Sequence, residues 1–296
     1  MIAYDATRDA LYHPWKRPTV FRPGVACDGV ALAVEAARLA YWPFERDPAQ
    51  RAALRESLLV AGFDGFTPLV HPATGSQGYG AFRAADGLAL LAFRGTEPDD
   101  LADIASDLAF SLTAWPGSEA RVHHGFADAA HGLLPQVQAW LATLGPKRQR
   151  LLVTGHSLGA AIATLVSAVV HPDELVTLGS PRVGDTGFAQ LMAQLPMKHT
   201  RLVDACDLVT EVPPAIRVPG LLDRPYAHVG LATYIHPDTQ ATVTPEVDTD
   251  SPAVNEERQQ ARRAYLLEQA WRRGHNLVRD LADHAPINYV RAFFRD

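Results

Sequence analysis

The run Leu151 to Leu165, LLVTGHSLGAAIATL, leaves the chain little freedom in what it builds around it. Leu151, Leu152 and Val153 read as a buried strand. After Thr154 comes Gly-His-Ser-Leu-Gly, followed by small and apolar residues with helix-forming character. A strand, a tight turn carrying Ser157 and a helix together make a nucleophile elbow. Gly155 and Gly159, two residues either side of the serine, stand where a side chain would strike the strained turn or the incoming helix. The amide of Leu158 falls at a helix N-terminus, where a developing oxyanion is stabilised. A merely structural Gly-rich turn is the competing reading, and the strand before and helix after favour the elbow.

Length and charge bound the rest. At 296 residues the chain accommodates one large α/β domain or two small ones, and no internal repeat or domain-sized linker divides it. We read residues 1–296 as a single domain. A net charge of −6 gives no basis for a nucleic-acid partner. Cys27 and Cys206 make neither a disulfide framework nor a metal-ligand spacing, so two buried thiols and no metal are expected. The N-terminus, MIAYDATRDALYHPWKRP, has no apolar segment of the secretory type, and no run reaches the ~18 apolar residues of a membrane span. A cytoplasmic location is the expectation.

In chain order, residues 1–25 are rich in Pro and aromatic residues and read as irregular. Ala31 to Trp42 has the spacing of a core-facing helix. Gly78–Arg83 and Leu88–Arg94, joined by Ala-Ala-Asp-Gly, read as a hairpin. The stretch Glu97 to Trp115 places Leu101, Ile104, Leu108 and Leu112 at helical spacing, and a short amphipathic helix directly after a strand end reads as a mobile lid over residues 97–115. Gly125 to Leu144 reads as a helix with a kink or break at Pro135. Strands are expected at Glu174–Leu178, Thr200–Ala205 and Tyr226–Ile235, with a helix over Thr186–Leu195 and a polar loop over Asp238–Asn255. A long helix is expected over about 256–282, with Ala264, Leu267, Trp271, Gly274, Val278 and Leu281 along one stripe and five arginines making it locally basic. Those arginines read as a solvated face. The alternation of strands and helices argues for an α/β fold, a mostly parallel central sheet with helices on both faces.

A serine hydroxyl is a poor nucleophile until an imidazole takes its proton, and the imidazole must be oriented by a carboxylate. In α/β-hydrolases these follow the serine in the order acid, then histidine. Asp207 stands just past the strand Leu202 to Cys206, where α/β sheets place their sites. Asp204 lies inside that strand and reads as structural, and Asp185 reads as a helix cap. After Asp207 only His228, His236, His275 and His284 remain. His236 and His275 read as surface residues. His228 and His284 both remain candidates, since spacing does not separate them.

The motifs Phe93-Arg-Gly-Thr96, Val122-His-His-Gly-Phe126, Gly-His-Ser-Leu-Gly, Leu178-Gly-Ser-Pro-Arg-Val-Gly184 and Asp207-Leu-Val-Thr-Glu-Val-Pro-Pro214 occur in one order along the chain. In this the chain resembles the class 3 lipases, the fungal-lipase-like branch of the α/β-hydrolases. The resemblance implies an α/β-hydrolase fold with a short helical lid. It also implies that the base comes from a His-x-x-x-x-Tyr segment, which maps onto His284 and Tyr289. The catalytic set implied is therefore Ser157, Asp207 and His284. The resemblance assigns the second oxyanion donor to Thr96 beside Leu158, each donor contributing roughly a few kcal/mol in the transition state. The basic helix before His284 is longer than the family leads one to expect.

The activity so implied is carboxylic ester hydrolysis through an acyl-enzyme, without metal or organic cofactor, on acylglycerols as a lipase. A short-chain carboxylesterase or a phospholipase A1 would use the same residues, as would an acyltransferase. A non-catalytic binding protein is disfavoured because no member of the triad is missing. The partners implied are an ester or lipid substrate and transient contact with a lipid interface.

Overall fold

Leu151 and Leu152 pack into different apolar cores, and the architecture follows from that alternation. The computed structural model describes residues 2–95, 111–216 and 224–294. Its helices are α1 (Arg8–Tyr12), α2 (Gly29–Leu39), α3 (Pro48–Val60), α4 (His124–Leu144), α5 (Leu158–Val170), α6 (Thr186–Ala193), α7 (Pro252–Glu268), α8 (Arg279–Ala282) and α9 (Pro286–Val290). The strands are β1 (Gly65–His71), β2 (Ser76–Arg83), β3 (Leu88–Phe93), β4 (Leu112–Ala114), β5 (Arg121–His123) and β6 (Arg150–His156). They continue with β7 (Glu174–Leu178), β8 (Gly184–Asp185), β9 (Lys198–Asp204), β10 (Tyr226–Ala227), β11 (Ala232–Ile235) and β12 (Val243–Val247).

Eight of these strands form one sheet in the order β1-β2-β3-β6-β7-β9-β11-β12. The centre, from β3 to β11, is parallel, and β1, β2 and β12 add antiparallel edges. Register carries the two-sided pattern across strands. Leu90 pairs with Leu152 and faces the core shared with α2, whereas Leu91 pairs with Val153 and faces the core shared with α4 and α5. A parallel sheet covered on both faces needs strands apolar on both sides, and LALLAF in β3 meets that requirement. A second, antiparallel sheet of order β10-β8-β5-β4 stands beside the first.

Several elements differ from expectation for identifiable reasons. α4 runs unbroken through Pro135. An internal proline costs roughly 3 kcal/mol, but Phe126, Leu133, Val137 and Trp140 are buried on both sides of it, each contributing about 1.5–3 kcal/mol. The expected strand Tyr226–Ile235 is two strands in two sheets, because Gly230 takes a φ of +70° between them. The expected loop Asp238–Asn255 contains β12 and the first turn of α7, with Pro252 at its start.

The expected helix over 256–282 ends at Glu268. Its buried face is Val254, Arg258, Ala261 and Tyr265, a different stripe from the one read in sequence. Leu267, Trp271 and Val278 are exposed, so no core draws the helix onward. Instead Gly274 adopts a φ of +84°, and the chain turns to α8. Of the lid expected over 97–115, residues 97–110 lie outside the described residues, and Leu112–Ala114 pairs as a strand with β5 rather than continuing a helix.

Candidate active site

Ser157 sits between β6 and α5 with φ 59° and ψ −130°, a left-handed conformation that costs a non-glycine residue on the order of 1–3 kcal/mol. The neighbouring glycines make the turn possible. A Cβ on Gly155 would overlap the Gly159 carbonyl, and one on Gly159 would overlap the Phe93 carbonyl at the end of β3. Leu158 opens α5, so its amide is the first of the helix. Gly95 lies against the same turn, where an added Cβ would stand 2.9 Å from the Ser157 Cβ. Thr96, expected to supply the second oxyanion donor, lies outside the described residues.

Asp207 follows the carboxyl end of β9, and His284 follows α8. The structure brings both to the serine. His284 Nε2 is 3.0 Å from Ser157 Oγ, and Nδ1 is 2.9 and 2.8 Å from the two Asp207 oxygens. A carboxylate accepts only, so Nδ1 carries the proton and Nε2 is left to accept from the serine hydroxyl. Asp207 also accepts the Val209 amide at 2.9 Å and the Tyr289 hydroxyl at 2.5 Å. Burial, with Asp207 next to it, holds the Tyr289 phenol well above its usual range, so it remains a donor. Gly179, at φ +54°, gives the pair room, since a Cβ there would stand 2.6 Å from Asp207 Oδ2.

His156, which precedes the serine and so falls outside the order acid, then histidine, also lies within this site. Its Nδ1 accepts from the Tyr41 hydroxyl at 2.7 Å and its Nε2 donates to the His284 carbonyl at 2.9 Å. Burial above all, with His284 beside it, holds the His156 imidazole well below its ordinary range. A neutral ring with one donor and one acceptor matches those two partners. Asp283 braces the same loop. It accepts the Tyr4 hydroxyl at 2.7 Å and the Cys206 amide at 3.0 Å, and pairs with Arg279 at 3.0 Å. No short motif marks Tyr4 or Tyr41, because their partners lie 279 and 115 residues away along the chain.

The remaining candidates are engaged elsewhere. His228 Nε2 donates to the Thr210 carbonyl at 2.8 Å, and burial together with Arg201 and Arg182 holds its imidazole well below the usual range. His236 bonds Glu257 and Thr244, each at 2.9 Å. Asp185 caps α6 through the Phe188 amide, and Asp204 is buried in β9. Cys206 is buried and Cys27 half-buried, both as free thiols.

This arrangement can pass a proton from a hydroxyl to an imidazole whose orientation is held by a buried carboxylate. Residues 90–216 match the family model described as lipase (class 3). The chain is 35% identical to the secreted mono- and diacylglycerol lipase 1 of Fusarium solani over 32% of this chain and 30% of that protein. It is 32% identical to a lipase of Rhizomucor miehei over 42% of this chain and 37% of that one. The chain thus spans about a third of the length of the curated relatives it matches. In structure it is similar to the Rhizomucor miehei lipase propeptide complex, with a TM-score of 0.62 at 21% identity over 77% of this chain and 75% of the other. The segment that holds the elbow and the Asp207 loop is therefore similar to the class 3 lipases, and the chain shares the α/β-hydrolase fold of the Rhizomucor miehei lipase.

Proposed function

We propose that the protein is a carboxylic ester hydrolase acting on acylglycerols through an acyl-enzyme, with residues 1–296 as a single α/β-hydrolase domain. The observation that carries this reading is the continuous chain of bonds from Ser157 Oγ through His284 to Asp207, at 3.0 and 2.8 Å. In the proposed cycle His284 takes the Ser157 proton as Oγ attacks the ester carbonyl. The Leu158 amide and Thr96 receive the charge that develops on the carbonyl oxygen. His284 then gives its proton to the leaving alcohol, and water, deprotonated by the same ring, releases the acid. Asp207 keeps the ring in the required tautomer throughout.

Acylglycerols are supported as the substrate by the likeness to the secreted mono- and diacylglycerol lipase 1 of Fusarium solani. Transient contact with a lipid surface belongs to the same reading, and among the described residues no helix is long and apolar enough to cross a membrane. A cytoplasmic location is part of the same proposal and is checked by cell fractionation.

The deciding experiment is hydrolysis of p-nitrophenyl esters of increasing chain length, below and above their solubility limits, by the wild type and by Ser157→Ala. Turnover that disappears in the variant and jumps at the interface is the expected result. Near-wild-type rates in Ser157→Ala would overturn the assignment. His284→Ala should be inactive and His228→Ala active; the reverse would move the base to His228.

A further inference from the structure

Around the end of α7 the chain presents apolar side chains to solvent. Leu266, Leu267, Trp271, Leu277 and Val278 are exposed, Leu267 by 78% and Trp271 by 72%. Among the described residues, half of the exposed large hydrophobic side chains fall in these thirteen positions. Such clustering distinguishes a binding surface from the scattered apolar exposure of any protein.

The segment is pinned. The Arg8 amide donates to the Gly274 carbonyl at 2.8 Å, the Asn276 amide donates to Ala6 at 2.9 Å, and the Tyr265 hydroxyl donates to the Asn276 carbonyl at 2.8 Å. The Trp271 indole N–H donates to the Leu267 carbonyl at 2.8 Å. With its polar atom satisfied inside the segment, the indole can enter an apolar phase without leaving a donor bare.

Charge surrounds the apolar residues selectively. Arg258 and Arg262 turn inward, to the Ala205 carbonyl with Glu211 and to Asp280 respectively. Arg263, Arg272 and Arg273 are exposed and form no salt bridge among the described residues, and the Arg272 guanidinium lies 5.8 Å from the Trp271 ring centre. Three outward arginines against one exposed carboxylate, Glu268, leave this segment net positive on a chain of net charge −6, opposite in sign to the protein as a whole.

We propose that Leu266 to Val278, with Arg263, form a docking surface for an anionic lipid bilayer. Leucines and a tryptophan suit the boundary between headgroups and acyl chains, and arginines around them suit anionic headgroups. A symmetric contact between two copies would set arginine against arginine, which disfavours self-association through this face. The surface lies immediately before α8, and His284 follows α8, so docking would anchor the element that carries the proposed base.

The test uses the full chain as Ser157→Ala, so that no lipid is consumed, in flotation with phosphatidylcholine vesicles with and without about a third phosphatidylglycerol. Preferential binding to the anionic vesicles is expected. Leu267→Ser with Trp271→Ser should weaken it by roughly tenfold or more. Replacing Arg263, Arg272 and Arg273 by Gln should remove the anionic preference, at about fivefold per arginine. All five side chains are exposed, so both variants should keep the parent melting temperature and, in a Ser157 background, the turnover of a soluble ester. Undiminished binding by both variants, or equal binding to neutral vesicles, would overturn the proposal. So would a wild-type dimer that Leu267→Ser with Trp271→Ser converts to a monomer, because the face would then join two copies. Absence of ester turnover in the wild type would sink the hydrolase reading and leave the vesicle result standing.

Discussion

The carboxylate of Asp283 accepts the main-chain amide of Cys206 at 3.0 Å, so the residue before the proposed base holds the residue before the proposed acid. The two loops come from the ends of β9 and α8, far apart in sequence, and this bond is one of the few that link them directly. Asp283 is fully buried and is paired with Arg279. Removing one member of a buried pair leaves the other charge uncompensated, at about 3–5 kcal/mol. Asp283→Ala is therefore expected to lower the thermal midpoint by on the order of 10 °C. Differential scanning calorimetry checks it, and a midpoint unchanged from wild type would show that the brace is dispensable.

Tyr289 supplies Asp207 with a donor that the serine and histidine do not. In Tyr289→Phe the carboxylate keeps the Val209 amide and His284, but loses one bond and some of its fixed orientation. A hydrogen bond to a charged group contributes about 1.5–3 kcal/mol. We expect kcat on a soluble ester to fall roughly tenfold with KM nearly unchanged, since Tyr289 positions Asp207 and touches no substrate in the proposed cycle. Steady-state kinetics separate the two parameters.

Acid should destabilise the fold through its buried imidazoles. Burial lowers His199 to about 4, with Arg201 adding to the effect, and holds His156 and His228 well below their usual range. Between the unfolded value near 6.5 and these depressed values the unfolded chain binds protons that the native chain does not. The contribution of these rings is therefore full above about pH 6.5 and falls as pH drops, at about 1.4 kcal/mol per pH unit for each ring. Urea unfolding at successive pH values measures the slope, and His199→Gln should reduce it.

Asp204 should act in the opposite direction. Burial foremost, and then Asp283, raises its carboxyl well above the ordinary carboxylate range. The native state thus retains a proton that the unfolded chain loses once pH passes about 3.8. Its contribution to stability is full below that value and declines as pH rises toward the folded pKa. In Asp204→Asn the decline should disappear, so the variant gains on the wild type as pH rises above about 4. A difference in urea midpoint that does not change across that range would contradict this.

Local patterns read directly from the chain carried the elbow, β7 at Glu174–Leu178, the Asp185 cap and the α/β alternation. Each depends on neighbours within a few residues: glycines where a Cβ cannot fit, apolar runs of strand length, a side chain within reach of its own helix. Its place just past the strand Leu202 to Cys206 singled out Asp207 as the acid, and chain order then left His228 and His284 both standing. Which of the two reaches Ser157 was decided only in three dimensions, where the Thr210 carbonyl takes His228 and the turn after α8 brings His284 to the serine. The same limit explains the misread helix. A stripe of apolar residues from Leu267 to Val278 looks like a buried face in one dimension, yet the core beneath α7 is filled by Val254, Ala261 and Tyr265. Periodicity records which side chains share a face, whereas burial depends on what the rest of the chain places against that face, and only the tertiary structure supplies it.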